Sequence, residues 1–416
     1  MKVLITTEWY APVINGVVVS VENLAKGLTE LGHEVRILTV SPNRRSFTKG
    51  KVTYISSVNA ARVYPGARVA VTPLRVSRHI RALVRWAPDI IHSQAEFSTF
   101  YMARYIAAAV GIPIVHTYHT VYEDYTHYFI PSKRLGRSVV SRLSKRVLNS
   151  TACIIVPTEK VKVMLRGYGL TTDIEVIPTG LDFGGGSPPA AGEEKLALRR
   201  SLNLPDEHKV LVAIGRLAKE KNLEEIMLFL KKLGQPDLAL LIVGDGPRRE
   251  SLQHYARELG ISMQVVFAGM VEHSEIASFY QIGDVFVSAS RSETQGLATL
   301  EALASGVPSL CRRDPSLDNV IQDGVNGWQY GSFEEFRDRL EGLLRKEGPF
   351  RLVADAKGSP GNRSSSYLDF AGRVEAVYNK GRDSFTSARG KGTPRASYFE
   401  TQSLRKGNRS SLSRFE

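Results

Sequence analysis

Glu293 and Glu301 stand eight residues apart in the run Ser290-Arg291-Ser292-Glu293-Thr294-Gln295-Gly296-Leu297-Ala298-Thr299-Leu300-Glu301. An apolar stretch, 285–290, precedes the run and a helical pattern follows it. Glu293 therefore belongs at the carboxyl end of a strand, and Glu301 roughly one to two turns into the helix on much the same side. Backbone N–H groups at Gln295, Gly296 and Leu297 would open that helix, where the dipole favours an anion. A carboxylate accepts hydrogen bonds from two adjacent hydroxyls, so a diphosphate flanked by two carboxylates suits a nucleotide-sugar. Spacing alone leaves a plainer reading equally open, with Glu293 a loop residue and Glu301 a solvated helix charge.

Three other segments carry possible chemistry. Gly215-Arg216-Leu217-Ala218-Lys219-Glu220-Lys221-Asn222 begins where the apolar run 210–215 ends. There Arg216 can fork onto a diphosphate and Lys221 can meet it as a point charge, although most basic pairs are simply solvated. Trp9-Tyr10-Ala11-Pro12-Val13-Ile14-Asn15-Gly16-Val17 joins the first strand to the first helix. Gly16, lacking a Cβ, would let a phosphate approach the backbone. His116-Thr117-Tyr118-His119-Thr120-Val121-Tyr122-Glu123-Asp124-Tyr125 ends another apolar run. Its two histidines and two carboxylates do not share one face of a strand-to-loop segment, so no metal is expected. His119 reads instead as a cleft residue touching a polar substrate.

The elements that must position these groups are short continuous Val/Ile/Leu runs alternating with helical patterns. They fall at 3–7, 35–40, 52–56, 89–92, 113–119 and 153–157, then at 210–215, 238–244, 265–269, 285–290 and 307–311. Such runs are parallel strands covered on both faces, which makes the chain α/β with right-handed crossovers. Phe183-Gly184-Gly185-Gly186-Ser187-Pro188-Pro189 separates the two sets. The expected fold is thus two doubly wound Rossmann-like domains, 1–182 and 204–370, joined by a linker at 183–203 and facing a central cleft. A closing helix is expected at 371–382 and a basic, flexible tail at 383–416.

Composition narrows the classes. The 416 residues carry a net charge of +13, unevenly spread. Residues 1–180 hold 23 Lys and Arg against 11 Asp and Glu, whereas 181–370 hold 22 against 27. The basic half points to a polyanion, either nucleic acid or an anionic membrane. No apolar stretch approaches the roughly 20 residues of a membrane-spanning helix. Met1–Glu8 reads as a buried first strand and not as a secretory signal. Two cysteines, Cys153 and Cys311, exclude a disulfide framework and favour a reducing cytoplasm.

Taken together, in this order and at these separations, the four segments resemble the retaining glycosyltransferases of GT-B fold that carry a Glu-x7-Glu motif. Leu241-Ile242-Val243-Gly244-Asp245-Gly246-Pro247 and Ser305-Gly306-Val307-Pro308 also match that family, over residues 1 to about 380. The resemblance implies an acceptor-binding N-terminal domain and a C-terminal domain that binds a nucleotide-sugar. It implies that Arg216 and Lys221 neutralise the leaving diphosphate with no metal or other cofactor. Gly16 would then approach the phosphates, Glu293 the donor sugar and Glu301 the ribose, with His119 beside the transferred sugar. Gln295, where the family commonly has Phe, would alter the lining of the donor pocket. Gly296 and Leu297 complete the donor-binding set.

Within the family, His116–Tyr118 and 121–128 look most like bacterial 1,2-diacylglycerol 3-glucosyltransferases. The resemblance implies UDP-glucose as donor, diacylglycerol as acceptor, and a cytoplasmic protein peripheral on the inner face of the cell membrane. A charge argument runs beside it. Segments 74–86 and 133–147 interleave arginines and lysines with apolar residues, as basic amphipathic helices on an anionic bilayer do. A core-facing helix with a solvated basic rim has the same pattern. A soluble or polyprenyl-linked glycan remains the alternative acceptor. Nucleic acid is not expected, since no basic track interleaved with aromatics is present. Neither is a dinucleotide oxidoreductase, because Arg249 stands where Gly-x-Gly-x-x-Gly needs its third glycine.

Overall fold

The computed structural model describes residues 1–11, 13, 15–60, 67–71, 77–123, 132–181, 192–345 and 366–390. The N-terminal half runs β1 (Lys2–Thr7), α1 (Gly16–Glu30), β2 (Glu34–Val40), β3 (Phe47–Lys49), β4 (Val52–Ile55), β5 (Ser57–Asn59) and β6 (Arg68–Ala70). It continues with α2 (Arg78–Trp86), β7 (Ile90–Ser93), α3 (Ser98–Val110), β8 (Ile114–Thr117), α4 (Lys133–Leu148), β9 (Cys153–Val156), α5 (Glu159–Gly167) and β10 (Ile174–Val176). Eight of its strands form one sheet in the order β10-β9-β8-β7-β1-β2-β4-β3, parallel except for the short β3–β4 pair.

After α6 (Gly192–Ser201) the second half runs β11 (Lys209–Ile214), α7 (Leu223–Leu233), β12 (Leu238–Val243), α8 (Arg249–Glu258), β13 (Val265–Gly269) and α9 (Ile276–Gln281). It ends with β14 (Val285–Ser288), α10 (Leu297–Ala304), β15 (Ser309–Arg312), β16 (Gly327–Tyr330), α11 (Phe333–Arg345) and α12 (Tyr367–Gly390). Its six strands are ordered β13-β12-β11-β14-β15-β16, the doubly wound pattern that leaves a crevice where the order reverses, between β11 and β14. The first sheet reverses in the same way between β1 and β7.

Parallel strands buried on both faces explain why the apolar runs were continuous. In β1, Leu4 faces one core with Leu38, Ile91, Phe100 and Ile106, whereas Val3 and Ile5 face another with Leu24, Leu28 and Ile37. Val3, Leu4 and Ile5 are all 0% exposed, and each such side chain contributes about 1.5–3 kcal/mol. The second sheet repeats the pattern, Leu240 on one side and Leu241 on the other.

The last helix crosses back to the first domain. Phe370, Ala371, Val374, Val377 and Tyr378 of α12 complete the core that Val3 and Ile5 begin. Gly27 allows this approach, because a Cβ there would lie 2.6 Å from the Ala371 Cβ and 2.8 Å from the Tyr367 carbonyl. His92, buried in β7, hydrogen-bonds the Tyr378 hydroxyl at 2.7 Å.

Two boundaries differ from expectation. The helix expected at 371–382 runs from Tyr367 to Gly390, since buried Phe385 extends its apolar face past Asp383. Within the expected linker, 192–201 is helical, with Glu193 and Glu194 in its first turn and Arg199 and Arg200 in its last. That distribution complements the helix dipole. Residues 391–416, the rest of the expected tail, lie outside the described residues, as do 183–191 of the linker.

Candidate active site

The crevice of the second sheet opens onto a cleft lined by Gly215, Arg216, Lys221, Glu293, Gly296 and Thr299, among others. The sequence places Arg216 there by backbone packing. Gly215 and Gly244 adopt φ of +146° and +127°, and a Cβ on Gly244 would lie 2.1 Å from the Gly215 carbonyl oxygen. A Cβ on Gly246 would likewise lie 2.4 Å from the Leu217 carbonyl oxygen. The glycines at the end of β12 therefore brace the loop that carries Arg216. Lys221 closes a 3-10 turn, Lys219–Lys221, and Asn222 then takes a left-handed conformation with φ of +51° before α7. Asparagine tolerates that conformation better than most residues. Its amide also donates to Glu225 at 2.9 Å.

Lys221 Nζ donates to Glu293 Oε1 at 2.6 Å. Burial pushes the Glu293 carboxyl up, but the Lys221 charge and hydrogen bond outweigh it and hold the group below the usual carboxylate range. Burial pulls the Lys221 ammonium down, and Glu293 more than reverses this, leaving it raised. Both groups are thus charged near neutrality, and the pair occupies the cleft with balanced charge.

α10 begins at Leu297, with Gly296 at φ of +76° ahead of it. The N–H groups that open it are those of Leu297, Ala298 and Thr299, two residues later than the sequence reading of Gln295 to Leu297. α1 faces it: a Cβ on Gly16 would lie 3.0 Å from Leu297 Cδ1. Asn15 caps α1 by accepting from Val18 N at 3.0 Å. Two helix N-termini, each favourable to an anion, therefore meet across the interdomain cleft. Glu301 lies a turn inside α10, where it accepts from the buried Tyr280 hydroxyl at 2.9 Å.

Gln295 is a correction. Its side chain is 5% exposed and turned away from the cleft. Its amide oxygen accepts from Thr179 N at 2.8 Å, and its amide nitrogen donates to Thr179 O at 3.0 Å. It joins the domains and does not line a donor pocket.

His119 follows β8 on the opposite wall. Its Nε2 donates to Gln94 Oε1 at 2.6 Å. Burial, helped by the nearby His116, pushes its pKa down to about 3, so the imidazole is neutral. With Nε2 carrying the proton, Nδ1 keeps a lone pair to accept from a ligand hydroxyl. His116 Nε2 lies 3.0 Å from Glu96 Oε1, and the Tyr122 hydroxyl donates to the other Glu96 oxygen. Glu8, at the end of β1, accepts from Thr99 N at 2.8 Å and caps α3. Burial drives its pKa up to about 7 against the opposing Thr99 bonds. Asp124 and Tyr125 lie outside the described residues. Among the described residues, no group of three His, Cys, Asp or Glu side chains could hold a metal ion.

Sequence reasoning missed Gln94, Glu96 and Glu8 on this wall, and Lys160, Thr158 and Asp314 between the domains. None stands in a telling spacing; each is brought to the site by the sheet order or by the facing of the two domains.

The expected basic helices divide. In α2, Ile80, Leu83 and Trp86 are buried in the core, so this helix is core-facing with a basic rim and offers no apolar face to a membrane. In α4, Val140, Val147 and Leu148 face the core, while Leu135, Val139 and Leu143 are exposed by 58%, 36% and 58%. Those three recur every four residues, one stripe of the helix, and exposed Arg134, Arg137, Arg142 and Arg146 flank them. Among the described residues, no helix is long and apolar enough to cross a membrane.

Residues 14–184 match the family described as Glycosyltransferase Family 4, and residues 194–357 match Glycosyl transferases group 1. The chain is 35% identical, over 83% of its length and 78% of the relative's, to an alpha-monoglucosyldiacylglycerol synthase of Streptococcus pneumoniae. It is 31% identical to that of Acholeplasma laidlawii, over 82% of this chain and 87% of the relative. A crystal structure of Anabaena HepE in complex with UDP and glucose shares the fold with a TM-score of 0.70 at 16% identity, covering 91% of this chain and all of that one. Sucrose-phosphate synthase from Thermosynechococcus elongatus does so with a TM-score of 0.70 at 18% identity, over 91% and 98% of the two chains. Two facing Rossmann-like domains, with basic groups and a helix N-terminus at the crevice of the second, are thus found in a chain that belongs to the group 1 glycosyltransferases of GT-B fold.

Proposed function

We propose that the protein transfers glucose from UDP-glucose to 1,2-diacylglycerol with retention of configuration, as a peripheral enzyme on the inner face of the cell membrane. The observation that carries the reading is the likeness, over most of the chain, to the two alpha-monoglucosyldiacylglycerol synthases. The exposed apolar stripe of α4 between arginines supports a lipid-borne acceptor, since such a face lies naturally at an anionic bilayer surface.

The chemistry assigned to the cleft follows from its groups. As the bond from glucose C1 to the diphosphate oxygen breaks, the electron pair goes to the diphosphate. Arg216, Lys221 and the N–H groups at the starts of α10 and α1 receive that charge, already in place before it develops. They stabilise it without a metal ion. When the donor binds, Glu293 exchanges Lys221 for it and turns its carboxylate to the sugar hydroxyls, while Glu301 takes the ribose. His119 accepts from a sugar hydroxyl at Nδ1. The acceptor hydroxyl attacks C1 on the face the diphosphate leaves, and its proton passes to the departing phosphate oxygen beside it.

The test is transfer of labelled glucose from UDP-glucose into lipid, in vesicles of diacylglycerol and phosphatidylglycerol, with EDTA present. A glucolipid that disappears in Glu293→Gln is expected. Nucleotide release without any lipid product would overturn the acceptor and move it to a soluble or polyprenyl-linked glycan. Activity that needs added Mg²⁺ or Mn²⁺ would overturn the metal-free assignment.

A further inference from the structure

Three consecutive residues of the Glu293 loop are bonded to the opposite domain. Glu293 O accepts from Lys160 Nζ at 2.9 Å, and Thr294 O accepts from the Thr158 hydroxyl at 2.9 Å. The Gln295 amide pairs with both backbone groups of Thr179, at 2.8 and 3.0 Å. Lys160 and Thr158 stand at the start of α5, directly after β9 of the first sheet, so none of these bonds is local.

Lys160 does more than touch the loop. The same Nζ lies 2.7 Å from each oxygen of Asp314, whose side chain is only 4% exposed. Asp314 in turn accepts from Ser316 N and the Ser316 hydroxyl, both at 2.8 Å, and so shapes the turn carrying Leu317. That turn abuts Gly296: a Cβ there would meet Leu317 Cδ2 at 2.5 Å. One ammonium of the N-terminal domain therefore holds the carbonyl before α10 directly, and the glycine at the start of α10 through Asp314. The Glu293 side chain meanwhile faces Lys221 inside the cleft, so its direction depends on a backbone fixed from across the interface.

We propose that Lys160 is a positioning residue for glycosyl transfer: by bridging Glu293 O and Asp314 it makes the productive setting of the Glu293 loop conditional on the two domains being closed. The proposal rests on Glu293 facing the donor and not on the identity of the acceptor. Opening the domains withdraws Lys160, Thr158 and Thr179 together, and the loop loses its four outside bonds. Donor binding to Arg216 and Lys221, which belong to the same domain as the loop, does not require them. The consequence falls on turnover and not on donor affinity.

The experiment compares the full chain with Lys160→Met and with the double variant Lys160→Met/Asp314→Asn. The second change matters because the single variant strands a buried carboxylate, whereas the double does not. Turnover is followed as nucleoside diphosphate released from UDP-glucose or GDP-mannose, whichever the wild type uses, so a wrong donor would show itself separately. Hydrogen exchange is read over residues 290–297 in the same samples. Both variants are expected to lose about 100-fold in kcat, the scale of a misplacement of about 1 Å, with donor KM held. Exchange across 293–295 should rise while β14 stays protected. Wild-type turnover in the double variant would assign the loss to the stranded Asp314 and overturn the proposal. A loss confined to KM, or unchanged exchange in the loop, would overturn it too.

Discussion

Glu8 offers a quantitative test of how the wall opposite the donor cleft is built. Its carboxyl, ordinarily near 4.5, is pushed to about 7 by burial, with Glu96 adding to the effect and the two Thr99 bonds opposing it. Between those values the folded protein holds a proton there that the unfolded chain has released. Stability from this group is therefore complete below about pH 4.5 and falls as pH rises through 7. At about 1.4 kcal/mol for each factor of ten, the span amounts to about 3 kcal/mol. Glu8→Gln keeps an oxygen to accept from Thr99 N but carries no proton equilibrium. Urea unfolding of both proteins between pH 4.5 and 8, followed by tryptophan emission, gives the difference directly. The variant is expected to gain about 3 kcal/mol on the wild type across that range and to be the more stable protein at pH 8. The nearby histidines, His92, His116 and His119, are common to both proteins and cancel in the difference. Parallel pH dependences would refute the assignment of a protonated Glu8.

Two further outcomes follow from the packing. Gly244→Ala sets a Cβ 2.1 Å from the Gly215 carbonyl oxygen at a φ of +127°. It should cost about 3 kcal/mol or more and weaken nucleotide binding through Arg216, whereas an unchanged melting temperature would contradict the bracing role. Replacing Leu135 and Leu143 by Ser removes the two most exposed residues of the α4 stripe. Binding to phosphatidylglycerol vesicles should weaken by about tenfold or more, and the remainder should fall with salt because charges beyond about 10 Å are screened at 0.1 M. Undiminished binding would remove α4 from the membrane account.

The fold was legible because its strands are buried on both faces, which turns each into an unbroken apolar run such as 238–243. Short edge strands escaped: β10 and β16 read Ile-Glu-Val and Gly-Trp-Gln-Tyr, with too few apolar residues to signal a strand. In the cleft, Arg216, Lys221 and Glu293 could be brought together from sequence because each lies on a loop that directly follows an apolar strand run. The side of α2 that faces the core was not, because an amphipathic pattern says that a face is buried and not against what. Gln295 was misread for a similar reason. Its neighbours 293 and 296 line the cleft, and only the facing of the two domains turns its amide to Thr179. Lys160 had no signal, being a lysine in the first turn of a helix whose partners lie 133 and 154 residues away.

The central claim is that a nucleoside diphosphate is held by the basic groups of the second domain. Calorimetric titration of UDP into the wild type and Lys221→Met, both in EDTA, tests it most directly. The wild type should bind, and the variant should bind roughly 10- to 100-fold more weakly, the scale of one lost hydrogen bond to a charged group. Equal affinity in the two proteins, or no binding by the wild type until a divalent cation is added, would contradict the account.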